Sequence, residues 1–218
     1  MGYGICLETW GDYALFSRPE MKVERVSYDV ITPSAARGII DAIYWKPAII
    51  WRIDKIHVCN PIEFTNIRRN EVSSKISARS VDSVMNGAAK PLHINTNEDR
   101  QQRASVILKN VHYIIEAHFE LTDKAGETDT IEKHYNIALR RMRKGQCYHQ
   151  PCFGCREFPA RFRLLESKLP EFGLTGETDF GYMLYDMDFT DPENIKPMFF
   201  RAVMRNGIID LSACEVVR

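Results

Sequence analysis

Two features of this 218-residue sequence have side chains suited to acid–base chemistry on an anion. The first is the adjacent pair Lys133 and His134, which sets a cation beside the side chain that titrates nearest neutral pH. The second is Tyr44, whose phenol can both donate and accept a hydrogen bond. A solvated lysine–histidine pair and a packed tyrosine are common, so residue type alone leaves structural and functional interpretations open.

The segment Asp129–Lys144 is predicted to be the helix that positions Lys133 and His134. Asp129 is its predicted N-cap, with Glu132 as the reciprocal partner of a capping box. The pair would then lie in the first turn, where free N–H groups and the helix dipole favour an anion such as phosphate. Residues at helical spacing form its apolar face: Ile131, Tyr135, Ala138, Leu139 and Met142.

An earlier predicted helix carries Tyr44 at its end. It begins at Thr32, the N-cap, and it ends before Pro47, so that Tyr44 and Trp45 fall in its last turn. In a split βαβ unit both helices lie on one face of the sheet, so Tyr44 can meet His134 at one edge.

Charge is unevenly distributed along a chain whose formal net charge is zero. Residues 133–168 contain nine basic and two acidic side chains, whereas the residues after 168 contain nine acidic and four basic ones. A charged run is often only a solvated surface, but a basic region is also typical of nucleic-acid binding. Both interpretations stay open at this point.

Composition predicts a globular protein in the cytoplasm. The sequence is 44% hydrophobic and 27% charged, and no apolar run approaches the roughly 20 residues that span a bilayer. The first residues lack the basic and apolar regions of a signal peptide, so we expect no membrane association. The six cysteines are expected to be reduced.

Two groups of side chains have spacings that a metal site would use. Cys147, His149, Cys152 and Cys155 could supply four zinc ligands, although a second knuckle is missing. A second trio lies on one face of a predicted strand: His112, Glu116 and His118. Paired or solvated side chains are the commoner explanation of such a trio. No phosphate loop, nucleophile elbow or two-metal acidic motif is present, which favours chemistry without a metal.

Strands alternate with the two helices in the order strand, helix, strand, strand, helix, strand. The predicted strands are 3–7 with an extension at 13–16, 49–58 with a bulge near 54–55, 106–121 and 156–165. This order predicts an α+β, ferredoxin-like (RRM-like, split βαβ) domain over residues 1–168. We expect a basic insertion at 65–103 and a smaller β-sheet domain at 169–218.

Six short motifs in sequence order resemble the type I-C CRISPR-associated proteins of the Cas-five family, subtype d, in the RAMP superfamily. They lie at 10–16, 42–47, 108–113, 117–119, 133–135 and 154–158. Each motif is short, but together they are specific. The resemblance runs from the N-terminus to about residue 205 and so covers nearly the whole chain.

The resemblance implies an endoribonuclease without metal or other cofactor that cleaves precursor CRISPR RNA at the base of the repeat hairpin. It further implies that the product's 5′ handle stays bound within the Cascade complex, beside its other subunits. The catalytic residues implied are Tyr44, Lys133 and His134. Residues expected to bind RNA are Arg68, Arg69, Arg140, Arg141, Arg143 and Lys144. The alternative is a subunit that binds the handle without cutting.

Overall fold

The computed structural model describes residues 3–21, 23–167, 169–170 and 173–218. Helices among these residues are α1 (Pro33–Ile43), α2 (Ala78–Met85) and α3 (Ile131–Arg143). The strands are β1 (Gly4–Ala14), β2 (Arg25–Val26), β3 (Ile49–Val58), β4 (Phe64–Val72), β5 (Arg100–Leu121), β6 (Arg161–Leu164), β7 (Glu177–Asp188), β8 (Lys196–Arg205), β9 (Ile208–Asp210) and β10 (Val216–Val217). The class is therefore mixed α and β.

The strands form one ten-stranded sheet in the order β10-β8-β9-β3-β5-β1-β6, with β2 and β4 paired to β5, and β7 to β8. Every pairing is antiparallel except that of β2 with β5. Through β9 the C-terminal strands extend the sheet beyond β3. The domain boundary expected from the sequence falls at Lys168, which lies outside the described residues.

Two helix ends differ from the sequence prediction. Helix α1 ends at Ile43, and Tyr44 is an extended C-cap residue with φ −151° and ψ 113°, so Tyr44 and Trp45 are not in a helical turn. The N-cap of α3 is Thr130 instead of Asp129, because the Thr130 side chain accepts the Lys133 N–H. Both residue types cap helices well, and capping by Thr130 leaves the Asp129 carboxylate available for other contacts.

Three strand predictions need correction and one is confirmed. Strand β1 continues through Gly11–Asp12, where a break was expected, since β5 pairs with it along this stretch. The strand predicted at 106–121 begins at Arg100, because β4 pairs with its first half. The basic insertion contains β4 and α2. The fourth strand is only Arg161–Leu164. The strand at 49–58 has its expected bounds, and its register shifts between Ile53 and Lys55, as a bulge requires.

The hydrophobic core lies between α1, α3 and one face of the sheet. Its fully buried members include Ile39, Ile40, Trp51, Ile115 and Ala138, and each large apolar side chain contributes about 1.5–3 kcal/mol by leaving water. This packing fixes the end of α1 against the beginning of α3. Among the described helices none is long and apolar enough to cross a membrane.

Candidate active site

Tyr44 and His134 are in direct contact where α1 ends and α3 begins. The Tyr44 hydroxyl oxygen lies 2.7 Å from Nδ1 of His134, and both residues are only 2% exposed. The extended backbone of Tyr44, immediately after the helix, directs its ring towards α3. The approach of Tyr44 to His134, which the topology allowed, is thus observed as a hydrogen bond.

Asp129 extends this contact into a chain of three side chains. Its Oδ1 lies 3.2 Å from Nε2 of His134. An ionised carboxylate only accepts hydrogen bonds, so we assign the imidazole proton to Nε2, and Nδ1 then accepts the Tyr44 O–H. The Gly126 N–H and the Lys133 ammonium lower the pKa of Asp129 and keep it ionised. Sequence analysis assigned Asp129 to capping, and its position five residues before His134 was the only signal for this role.

Lys133 shares the same carboxylate from the solvent side. Its ammonium lies 3.1 Å from Asp129 Oδ1 and 3.0 Å from the carbonyl oxygen of Thr128, and its side chain is exposed. The structure therefore gathers Lys133, His134 and Tyr44 around Asp129. A cation, an imidazole and a phenol lie together at the N-terminus of α3.

Burial and nearby cations set the state of the Tyr44 phenol. Burial raises its pKa, and Arg141 followed by Arg140 only partly offset that rise. The guanidinium carbon of Arg141 lies 5.5 Å from the centre of the Tyr44 ring, and the Trp51 indole N–H donates to the Tyr44 carbonyl at 2.9 Å. The phenol is consequently protonated near neutral pH, which suits donation to His134.

A groove of about 320 Å³ gives access to Tyr44. It is lined by Asp41, Tyr44, Trp45, Lys46, Pro47, Arg141 and Tyr148. Burial raises the pKa of Asp41 to about 6, although Arg37 acts in the opposite direction. The groove thus combines two cations, aromatic rings and a carboxyl group of reduced acidity. Trp45, Lys46 and Tyr148 were not among the predicted site residues.

The predicted RNA-binding residues of α3 lie in different surroundings. Arg140 and Lys144 are exposed, whereas Arg141 lines the groove and donates to the Ile43 carbonyl at 3.0 Å. Arg143 forms a two-pronged ion pair with Glu166, with its shortest contact at 2.6 Å. Its charge is therefore partly neutralised within the chain.

The two predicted RNA-binding residues of β4 also differ from each other. Arg68 is exposed. The Arg69 side chain is only 11% exposed and lies 2.9 Å from Glu71 and 2.7 Å from Glu157. These two carboxylates hold Arg69 between β4 and the loop before β6. Its ion pairs therefore have a structural role.

The residues considered for metal binding do not form a cluster. In the parts of the chain that the structure describes, no group of three His, Cys, Asp or Glu side chains is placed to hold a metal ion, so the zinc alternative finds no support. The strand trio is divided among separate carboxylate–imidazole pairs. These pairs are His112 with Glu8, His57 with Glu116, and His118 with Asp54.

Comparison with known proteins gives the family of this α/β chain. Residues 4–212 match the Cas5d family model, described as "CRISPR-associated protein (Cas_Cas5)". The chain therefore belongs to the Cas5d family of CRISPR-associated proteins, which confirms the resemblance seen in the sequence motifs.

Two relatives carry the same descriptive name, "CRISPR pre-crRNA endoribonuclease Cas5d". The protein from Mannheimia succiniciproducens is 52% identical over 217 residues, covering 97% of this chain and 96% of the relative. The protein from Thermus thermophilus is 38% identical over 224 residues, covering 95% and 90%. The similarity thus extends over nearly the full length of each protein.

Solved structures share the fold. "Crystal Structure of CRISPR-associated Protein" aligns with a TM-score of 0.71 at 24% identity and covers 100% of this chain and 97% of the other. A functionally uncharacterised protein from Streptococcus mutans, SMU1763c, aligns with a TM-score of 0.69 at 24% identity and covers 100% and 98%. These similarities establish the architecture and nothing further.

Proposed function

We propose that this chain is an endoribonuclease that cleaves precursor CRISPR RNA within the repeat, at the base of its hairpin. The observation that carries the proposal is the 2.7 Å contact between Tyr44 and His134 beside an open groove. Membership of the Cas5d family, with two relatives named as pre-crRNA endoribonucleases, supplies the substrate.

The chemistry follows from the RNA's own nucleophile. The ribose 2′-oxygen attacks the adjacent phosphorus while the bond from phosphorus to the 5′-oxygen breaks, leaving a 2′,3′-cyclic phosphate and a 5′-OH. Neither metal nor cofactor is needed in this scheme, because RNA supplies the nucleophile and side chains move the protons.

Proton transfer would pass through Tyr44, since both nitrogens of His134 are engaged inside the protein. The Tyr44 oxygen orients the 2′-OH and accepts its proton while the phenolic proton moves to Nδ1 of His134. Asp129 stabilises the imidazolium that forms, as a carboxylate does in a Ser-His-Asp triad. The Lys133 ammonium stabilises charge on the phosphate and protonates the departing 5′-oxygen.

Cations of α3 and β4 are proposed to contact the RNA backbone. Arg140, Arg141 and Lys144 continue along α3 from the reacting groups, whereas Arg68 lies on β4 beside the first half of β5, away from the second half that contacts His134 through Phe119. Arg143 would have to exchange Glu166 for phosphate, and Arg69 is omitted from the proposal because its ion pairs leave it little exposed. Each phosphate contact on single-stranded RNA makes the slope of log affinity against log salt more negative by about 0.7.

We also propose the finer fold assignment and the assembly. The strand order β6-β1-β5-β3, crossed by α1 and α3, supports a ferredoxin-like domain over residues 1–168, and residues 169–218 would form the smaller β portion. As a family member the chain is proposed to retain the 5′ handle within Cascade in the cytoplasm. Co-purification of the other subunits with tagged protein and bound 5′ handle tests this assembly.

Cleavage of labelled repeat RNA in excess EDTA tests the proposal. One cut at the hairpin base, with a cyclic phosphate on the upstream fragment, is the expected result. His134→Ala should lose about 10²- to 10⁴-fold in cleavage rate while still binding the repeat. A strict requirement for a divalent ion contradicts the scheme, and tight binding without any cleavage favours the handle-binding alternative.

A further inference from the structure

Two exposed aromatic rings flank the groove beside Tyr44. Trp45 is 57% exposed and Tyr148 is 86% exposed, although both line the same groove. By contrast, the nearby aromatic side chains of Tyr44 and Trp51 are almost completely buried. Rings kept at a groove wall and open to water are suited to stacking on a planar ligand.

The backbone segments that carry the two rings are fixed at the end of α1. The Tyr148 N–H donates to the carbonyl of Ala42 in α1 at 2.8 Å, and the Arg141 guanidinium donates to the Ile43 carbonyl at 3.0 Å. Trp45 directly follows the C-cap residue Tyr44. The loop carrying Tyr148 is therefore tied to the end of α1, so ligand binding requires little ordering of the backbone there.

The charges in the groove define the class of ligand. Lys46 and Arg141 line it together with the two rings. An apolar peptide segment would leave these cations unmatched, and a free phosphate would leave the rings unmatched. A nucleotide matches both, with its base on the rings and its phosphate on the cations, and Asp41 can accept hydrogen bonds from the base.

We propose that this groove binds one unpaired nucleotide next to the scissile phosphate by stacking its base on Trp45 and Tyr148. The proposal rests on the function proposed above and adds a subsite that sets which phosphate meets Tyr44. Base stacking tolerates any base, so the subsite selects an unpaired nucleotide at the hairpin base and not a particular sequence.

RNA binding by aromatic variants tests this proposal in the slowly cleaving His134→Ala background, with a labelled transcript of the CRISPR repeat from the same genome. Trp45→Ala and Tyr148→Ala should each weaken binding about 5- to 150-fold. Trp45→Phe and Tyr148→Phe, which keep a ring, should stay within about threefold of the parent. Tyr182→Ala removes an exposed aromatic that does not line the groove and should leave binding unchanged.

A second measurement identifies the stacked nucleotide and separates stacking from misfolding. Repeat RNAs are made with a single abasic nucleotide at each position around the cut. One of these abasic RNAs should bind the parent protein as weakly as intact RNA binds Trp45→Ala. For that RNA, the Trp45→Ala substitution should cause no further loss of affinity. The proposal would be overturned if Trp45→Ala lowered the affinity for every abasic RNA equally. It would also be overturned if neither alanine variant lost affinity for intact RNA.

Failure of this inference can be told from failure of the proposed function. Cleavage that is indifferent to Trp45 and Tyr148 removes the base subsite and keeps the endoribonuclease. Ring-dependent binding by a chain that never cleaves in its wild-type form keeps the subsite and removes the endoribonuclease.

Discussion

The Tyr44 hydroxyl lies 2.7 Å from Nδ1 of His134, although the two residues are 90 positions apart in the chain. Because Asp129 holds the opposite nitrogen of the ring, the imidazole can accept the phenolic proton without turning. Tyr44 is also the member of this trio that lines the groove. Access from the groove to the proposed acid–base chain is therefore by way of Tyr44.

Tyr44→Phe keeps the buried ring and removes the hydroxyl oxygen. We expect single-turnover cleavage to slow by about 10²- to 10⁴-fold, the usual value of positioned acid–base catalysis, with affinity for the repeat unchanged. Tyr135→Phe is the matched control, because the Tyr135 hydroxyl contacts the Gly4 carbonyl instead of His134. Equal rates for Tyr44→Phe and wild type would remove Tyr44 from the chemistry.

Asp129→Asn should remove the contact that fixes the tautomer of the His134 imidazole. An amide that turns its NH₂ towards Nε2 makes that nitrogen the acceptor, and Nδ1 then cannot accept the Tyr44 proton. We expect the cleavage rate to fall by about 10²-fold or more. The Gly126 N–H and the Lys133 ammonium lower the pKa of Asp129 and keep it ionised. The loss of cleavage rate in Asp129→Asn should therefore be the same from pH 6 to pH 9.

The control for Asp129→Asn is Glu132→Gln in the same helix turn, which removes a carboxylate that bonds Tyr3 and not His134. Glu132→Gln should cleave at nearly the wild-type rate. Rate profiles against pH for the two variants and wild type, measured at saturating protein, make the comparison. An Asp129→Asn deficit that vanishes at one end of this pH range would contradict the fixed-tautomer role.

Asp41 should make the protein less stable as the pH rises. Burial raises the pKa of Asp41 from 3.8 to about 6, so the folded state binds more protons than the unfolded state between these values. The contribution of Asp41 to the free energy of unfolding is therefore most favourable below pH 4, falls as the pH rises to about 6 and stays reduced above it. Asp41→Asn should gain about 1–2 kcal/mol at pH 8, after discounting a side chain that is 30% exposed.

Urea unfolding of Asp41→Asn at pH 4 and pH 8 checks the sign. The gain should be near zero at pH 4, where the wild-type carboxyl is protonated. Arg37 loses its 3.7 Å partner in this variant but keeps Asp186. Asp123→Asn, which removes an exposed turn carboxylate, reports the general effect of one charge. A gain that is larger at pH 4 than at pH 8 would contradict the assignment.

Gly154 should be irreplaceable in the loop before β6. It has a φ of +81°, and an added Cβ would lie 2.0 Å from the Leu15 carbonyl oxygen. Because that oxygen belongs to the backbone, it cannot move aside as a flexible side chain could. The adjacent Phe153 carbonyl accepts the Leu15 N–H at 3.0 Å and fixes the two segments together. Gly154→Ala should lower the free energy of unfolding by more than about 3 kcal/mol, combining backbone strain with a steric clash.

Gly87→Ala is the control that isolates the backbone cost. Gly87 also has a positive φ, +90°, but an added Cβ would meet nothing within 4 Å. Its loss should be about 1–2 kcal/mol, and the difference between the two variants in urea unfolding measures the clash. Equal losses in Gly154→Ala and Gly87→Ala would show that the loop yields.

Local structure was predictable wherever short-range interactions decide it. The Thr32 cap, the bounds of the strand at 49–58 and its bulge each depend on neighbouring residues and appear as expected. Strand β1 was misjudged at Gly11–Asp12, since pairing to β5 overrides the local preference of these residues for a turn.

The sequence by itself determined the family, and it predicted Tyr44, Lys133 and His134 as the reacting residues and the start of α3 as an anion-binding end. Only the tertiary structure decided that Asp129 serves His134 instead of the cap, that Glu157 takes up Arg69, and that Trp45 and Tyr148 line one groove. The physical reason is distance along the chain. These contacts join elements whose approach depends on how α1, α3 and the sheet pack together, which no local pattern encodes.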